Sequence, residues 1–219
     1  MKKALLIIVV SGCLIFLSSC GPLVDMGKGE GPGIFDPEAE HKDFFLEEEG
    51  VPGTYIFKVN NPVYAGTYGY SFWVMKEPFE TVFTGVGLEL SKISGHVDGG
   101  YGLIFCQTQT DDGVVYLVLL INRSGEYCVG KIVHNRFFYL ERWKKSENLI
   151  SGPAMVNTIR VERTDLSEYK YYFNDQVTGI ILDNGENIAT GGGWGFVAVV
   201  SPLDKFPSTP VEVHFKVLD

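Results

Sequence analysis

The run from 211 to 217 alternates strictly: Val211, Val213, Phe215 and Val217 are separated by Glu212, His214 and Lys216. Period two puts the four apolar side chains on one side of an extended chain, which predicts a strand with one buried and one wet face. Residues 157–163 repeat the pattern, with Ile159 and Val161 set against Thr158, Arg160 and Glu162. Runs 114–121 and 195–200 are apolar at both parities and predict central strands covered on two sides. Further strands are predicted over 55–59, 68–75, 103–107, 126–133, 137–143, 169–174 and 177–182. Between them stand Asp111-Asp112-Gly113, Arg123-Ser124-Gly125 and Asn174-Asp175, residue types that accept tight-turn backbone angles. Apart from the N-terminal segment, no stretch has a helical period of useful length. The chain therefore predicts an all-β fold of eleven or twelve short strands, a sandwich or a barrel. No internal repeat of a propeller or solenoid is present.

Composition agrees with that pattern. Among 219 residues Val occurs 24 times and Ala 6 times, and β-branched side chains pack on pleated sheets at a lower cost than in helices. A chain of this length buries roughly 70% of its unfolded surface, so the core needs no metal or disulfide to hold it.

The first 42 residues read differently. Lys2 and Lys3 precede an apolar stretch over 4–17, interrupted by Ser11, Gly12 and Cys13. As a helix that stretch rises about 21 Å, short of the roughly 30 Å hydrocarbon core, which fits a secretory signal and not a permanent span. It ends in Leu17-Ser18-Ser19-Cys20, which resembles a bacterial lipobox. The resemblance implies a signal peptide over 1–19, diacylglycerol on the Cys20 thiol and cleavage that frees the Cys20 amine. The membrane is then a partner through acyl chains, two or more of which suffice for stable anchoring. Residues 20–42 are the acylated cysteine and a tether rich in Gly and Pro, spanning roughly 25 Å as a flexible coil. An alternative for part of it is to lie along the domain with Phe35 as an anchor. Residues 43–219 form the folded domain. Gly21 follows the cysteine in place of the Asp that retains enteric lipoproteins at the inner membrane, which favours the outer membrane or the cell surface.

Loss of Lys2 and Lys3 with the signal takes the formal charge from −9 to −11. That balance excludes nucleic acid, where phosphate contacts supply most of the affinity, and electrostatic attachment to anionic lipid.

Within the domain, a set of short pieces occurs in a fixed order. These are Gly102-Leu103-Ile104-Phe105, Val115-Tyr116-Leu117-Val118-Leu119, Ser124-Gly125-Glu126-Tyr127 with Gly130-Lys131, Trp143, Asn157-Thr158-Ile159-Arg160-Val161, Tyr172-Phe173-Asn174-Asp175 and Gly195-Phe196. The succession, over roughly 44–219, resembles the concanavalin A-like lectin/glucanase jelly rolls, in particular laminin-G and laminarinase-like domains of bacterial exported proteins. The resemblance implies two curved antiparallel sheets packed face to face, with carbohydrate bound on the concave face of many relatives. It also implies a structural calcium, held in part by an aspartate just before the aromatic of the final strand. Here Val213 and His214 precede Phe215, and no cofactor is expected.

Catalytic chemistry is sparse. Retaining glucanases of this fold draw their carboxylates, about 5 Å apart, from a Glu-x-Asp-x-x-Glu run on one strand, and no such run exists here. Asp36, Glu38 and Glu40 alternate but lie in the tether. His41, His96, His134 and His214 lack metal-ligand spacing, and Gly191-Gly192-Gly193 lacks the Lys and Ser or Thr of a phosphate loop. Cys106 and Cys128 are placed on strands separated by the one at 114–121, about 9.6 Å apart and beyond disulfide reach, so both are expected unpaired. The remaining candidates are Tyr116 and Tyr172, turned away from the apolar faces of their strands, with Trp143 at the border and Arg160 as a fork of donors; the alternative is that these rings cap the edges of the core. The reading is a noncatalytic surface lipoprotein that binds a neutral glycan on one sheet face through these four residues. An envelope protein-interaction module is the alternative, and a glycoside hydrolase the third.

Overall fold

The computed structural model describes residues 34–35, 41–66, 69–111, 113–133, 136–184 and 187–218. The expected signal peptide, Cys20, most of the expected tether, Tyr68, Asp112 and His134 lie outside the described residues.

The chain forms strands throughout: β1 Ile34–Phe35, β2 Phe45–Glu47, β3 Thr54–Val59, β4 Tyr70–Glu77, β5 Gly85–Ser94, β6 Tyr101–Thr110 and β7 Gly113–Ile121. They continue with β8 Glu126–Val133, β9 Arg136–Lys145, β10 Val156–Asp165, β11 Glu168–Phe173, β12 Gln176–Leu182, β13 Gly192–Val200 and β14 Val211–Leu218. Two seven-stranded sheets result. The first runs β1-β4-β13-β6-β7-β8-β9 and the second β12-β11-β10-β5-β14-β3-β2. Every neighbouring pair is antiparallel except β1 with β4, where Ile34 and Phe35 pair with Tyr70 and Ser71. The segment expected to be tether thus supplies one edge strand of the first sheet.

The period-two faces meet between the sheets. Phe57 on β3 packs on Phe72 of β4 at 5.1 Å between ring centroids, and Phe215 of β14 on Phe196 of β13 at 4.8 Å. Farther along, Tyr169 of β11 meets Phe105 of β6, and Phe173 meets Tyr127 of β8 at 5.0 Å. Each fully buried aromatic contributes roughly 1.5–3 kcal/mol by leaving water, so these rings dominate the core. The pairing order places edge strands β9 and β12 on the same side of the sandwich.

The core also holds an ion pair. Lys131 on β8 points inward, and its Nζ lies 2.6 Å from Asp183 Oδ1, with both side chains buried. The other carboxylate oxygen accepts the Ala189 N–H at 2.6 Å, which ties the 183–191 connection to the core.

Two of the expected turns are present: Asn174 and Asp175 adopt φ of 47° and 63°, and Gly125 adopts 74°, while Asp112 of the third lies outside the described residues. Three strands escape the hydrophobic pattern. β1 and β2 are two and three residues long. β5 carries Gly85 and Gly87, and its pairing with β14 shifts register after Glu212, so that consecutive Ser91 and Lys92 are both buried. That shift breaks the alternation a sequence reading depends on. Cys106 and Cys128 are free and buried, with β7 between their strands, as their placement predicts.

Candidate functional site

The first sheet is apolar on both faces. On β7, Val115, Leu117, Leu119 and Ile121 enter the sandwich, while Tyr116, Val118 and Leu120 point the other way into a second cluster. Trp73 of β4, Val197 and Val199 of β13, Ile104 of β6 and Cys128 and Ile132 of β8 join that outer cluster. Residues two apart on a strand share a face, so the outer cluster is built by the parity that the core does not use.

Aromatic side chains from β9 fold across it. The Phe137 ring lies on Gly130, where an added Cβ would come within 2.0 Å of the ring's Cζ. The Trp143 indole lies beside Leu120 and over Gly100, where a Cβ would meet its Cη2 at 3.1 Å. Tyr139 sits edge-on to Phe137 at 4.9 Å, and the Arg142 guanidinium stands 5.4 Å from the Tyr139 ring centroid. Tyr139 and Trp143 are half-buried, and Arg142 is exposed. This β9 border is the accessible aromatic part of the face.

The four ring and donor residues expected to form one site are not brought together. Tyr116 and Trp143 stand on the outer face of the first sheet, whereas Arg160 on β10 and Tyr172 on β11 belong to the second sheet. Period two assigns a side chain to a face of its own strand but does not say which sheet the strand joins. Nor are the two tyrosines open. Tyr116 is 1% exposed, 5.7 Å from the Trp73 ring, because the outer face of its central strand is packed as well. Tyr172 is 9% exposed, donates to Glu162 at 2.7 Å and is covered by Arg160 at 4.3 Å. Arg160 in turn pairs with Glu162 at 3.4 Å. Trp143 alone of the four borders accessible space on the aromatic face. Tyr139, two residues from Phe137 and four from Trp143, was missed, because the pairing of β9 with β8 shifts register twice between Tyr139 and Lys144 and breaks the alternation.

The calcium position does not fit a cation. Val213 is in the core, and the His214 ring bonds Glu212 at 3.0 Å, so the donors before Phe215 are an alkyl group and an imidazole already engaged. Burial pushes the Cys106 thiol up to about 12 and raises Cys128 as well, which keeps both protonated and unsuited to nucleophilic work.

No family model matches the chain, and no curated protein does. Solved structures do. A GH16 protein of the Bacteroides ovatus mixed linkage glucan PUL, in complex with a product, superposes with a TM-score of 0.55 at 7% identity, covering 90% of this chain and 93% of that one. A Bacillus licheniformis beta-glucanase superposes with a TM-score of 0.54 at 8% identity, covering 80% of each. The fold is a concanavalin A-like jelly roll. In this jelly roll, strands β4, β13, β6, β7 and β8 carry two carboxylates, Glu77 and Glu126, each a terminal residue of its strand. Glu77 is level with Trp194, Phe105, Leu117 and Lys131 across the jelly roll's first sheet, five residues along β8 from Glu126. Four strand spacings alone separate them by about 19 Å, far from the roughly 5 Å of a retaining pair.

Proposed function

We propose that the protein is a noncatalytic glycan-binding module of the bacterial envelope, held at the outer membrane or cell surface by acyl chains on Cys20. The observation that carries the binding reading is the β9 border, where half-buried Tyr139 and Trp143 stand beside exposed Arg142. Aromatic faces stack on the C–H faces of sugar rings, and a guanidinium supplies donors to hydroxyls. The wide separation of Glu77 and Glu126 favours holding a glycan over cleaving it. A net acidic chain favours a neutral one. The glucan named with the two superposing structures makes neutral β-glucan oligosaccharides the first probes.

Titration of the full-length protein in detergent with such oligosaccharides tests this. The double substitution Tyr139→Ala, Trp143→Ala is expected to weaken binding at least tenfold in protein that still unfolds in one cooperative transition, at a lower temperature because both half-buried rings pack on the outer cluster. Equal binding by the double variant overturns the assignment. For the anchor, Cys20→Ser is expected to release the protein from the membrane fraction and abolish fatty-acid labelling; retention of both refutes it.

One observation favours a second reading, an envelope protein partner. Edge strand β12 exposes Val177, Ile180 and Leu182, at 55%, 49% and 56%. An open strand edge with apolar side chains is a surface another protein can cover.

A further inference from the structure

At one end of the sandwich three connections converge: residues 95–100 after β5, 122–125 after β7 and 201–210 after β13. They border an open pocket of about 320 Å³, lined by His96, Val97, Arg123, Leu203, Asp204 and Lys205 among others. That volume lies at the lower end of small-molecule sites.

The connections are fixed from within. The Asp204 carboxylate accepts the backbone N–H of His96 at 2.5 Å and of Ser201 at 2.7 Å, joining the first connection to the third. Arg123 Nη1 donates to the Gly95 carbonyl at 3.0 Å, joining the second to the first. Beneath Gly95, Lys92 is 1% exposed and donates from Nζ to the Gly99 carbonyl at 2.8 Å.

One donor is left over. Arg123 Nε is buried and makes no hydrogen bond. Buried donors are nearly always paired, because an unpaired one costs about 1–3 kcal/mol. With Nη1 committed to Gly95, the free edge of the guanidinium is Nε with Nη2, two parallel N–H groups that match two oxygens of one anion. The local charge agrees. Asp204 is offset by buried Lys92, and Asp98, 3.8 Å from the His96 ring, lies out at the rim with its side chain 61% exposed. Arg123 and Lys205 then leave the cavity cationic. The chain's overall negative charge is screened beyond about 8 Å at physiological salt.

We propose that this cavity is an oxyanion-binding site, in which the Nε–Nη2 edge of Arg123 takes two oxygens of a carboxylate or a phosphate group and Lys205 closes over them. Val97 and Leu203 supply the apolar walls for the rest of a small polar ligand, such as the ring of a sugar acid. The site is separate from the Tyr139 and Trp143 border, and the reading there does not depend on it.

The full-length protein in detergent, labelled with ¹⁵N, is titrated with sodium glucuronate, with inorganic phosphate and with glucose. Glucuronate or phosphate is expected to shift the Arg123 Nε–H resonance saturably, and glucose is not. A response to glucuronate alone assigns the site to sugar acids, one to phosphate alone assigns it to phosphoryl groups, and both support it. Arg123→Lys keeps the charge but loses the fork, and a tenfold or greater weakening is expected. Leu203→Trp fills the cavity from an exposed position, so it is expected to abolish binding with melting unchanged even where Arg123 variants fold poorly. Absence of a saturable shift with either anion, or unchanged affinity in Leu203→Trp, overturns the proposal. Tyr139→Ala, Trp143→Ala is expected to bind these anions as the parent does.

Discussion

Lys92 offers a measurable test of how the loop end is held together. Burial lowers its pKa from 10.5 to about 8, with Asp204 and Asp98 opposing the shift and Arg123 adding to it. Below about pH 8 the ammonium is charged in both folded and unfolded chains, and the cost of keeping it buried is full. Between about pH 8 and 10.5 the folded chain gives up the proton while the unfolded chain keeps it, so this contribution to stability rises with pH. At about 1.4 kcal/mol per tenfold change in proton affinity, the full cost is about 3 kcal/mol, and about 2–3 kcal/mol of it is relieved between pH 7 and 10. Other groups act the opposite way. Cys106 and Tyr101, both pushed up to about 12 by burial, withdraw stability as the unfolded chain ionises first, above about pH 9. Lys92→Met retains those groups, so the difference between variant and parent isolates the lysine. Urea denaturation of both at pH 7, 8, 9 and 10 is the assay. The variant-minus-parent stability is expected to be about 2–3 kcal/mol larger at pH 7 than at pH 10. Loss of the bond to Gly99 adds a constant that drops out of this slope. A difference that stays flat across the range refutes the argument that Lys92 is folded in as a buried charge.

Asp183→Asn leaves Lys131 buried without its counter-charge and is expected to cost about 3–5 kcal/mol, read by denaturant unfolding; Lys131→Met added to Asp183→Asn removes the unpaired charge, keeps an acceptor for the Ala189 N–H and is expected to recover part of it. Gly130→Ala drives a methyl into the Phe137 ring and is expected to cost about 1–3 kcal/mol, a loss that Phe137→Leu in the same chain relieves. Cys106 and Cys128 are expected to resist alkylation in the native protein and to react fully after unfolding without reductant; a pair that stays blocked until reduction contradicts their free state.

The strands were legible wherever side-chain parity was clean. Glu126–Val133 matches its expected range, and the remaining predicted strands differ at their ends. Apolar residues at both parities also marked β7 and β13 as central, and both are interior to the first sheet. The site was less legible, because its geometry depends on which sheet each strand joins. Tyr116 and Tyr172 both turn from the sandwich core, yet they end on opposite sides of the molecule. Lys131 was unreadable for a related reason: a charge on a core parity looks like an error until Asp183, 52 residues later, is brought to it. The cavity at Arg123 comes from three connections whose sequences carry only turn chemistry.

The pairing of Ile34–Phe35 with β4 bears on how the domain carries a load. With the anchor proposed at Cys20, Ile34 is the first described residue that tension from the membrane meets, fourteen residues along and at most about 48 Å away by contour. The contact it meets there is a two-residue ladder at a sheet edge, the shortest pairing in the first sheet. The next described contact along the chain is at His41, whose N–H donates to the Trp73 carbonyl at 2.9 Å, at most about 24 Å farther by contour. With that anchor, so short a parallel pairing is expected to open before the longer ladders of the sheet, giving the chain slack in the manner of a mechanical fuse.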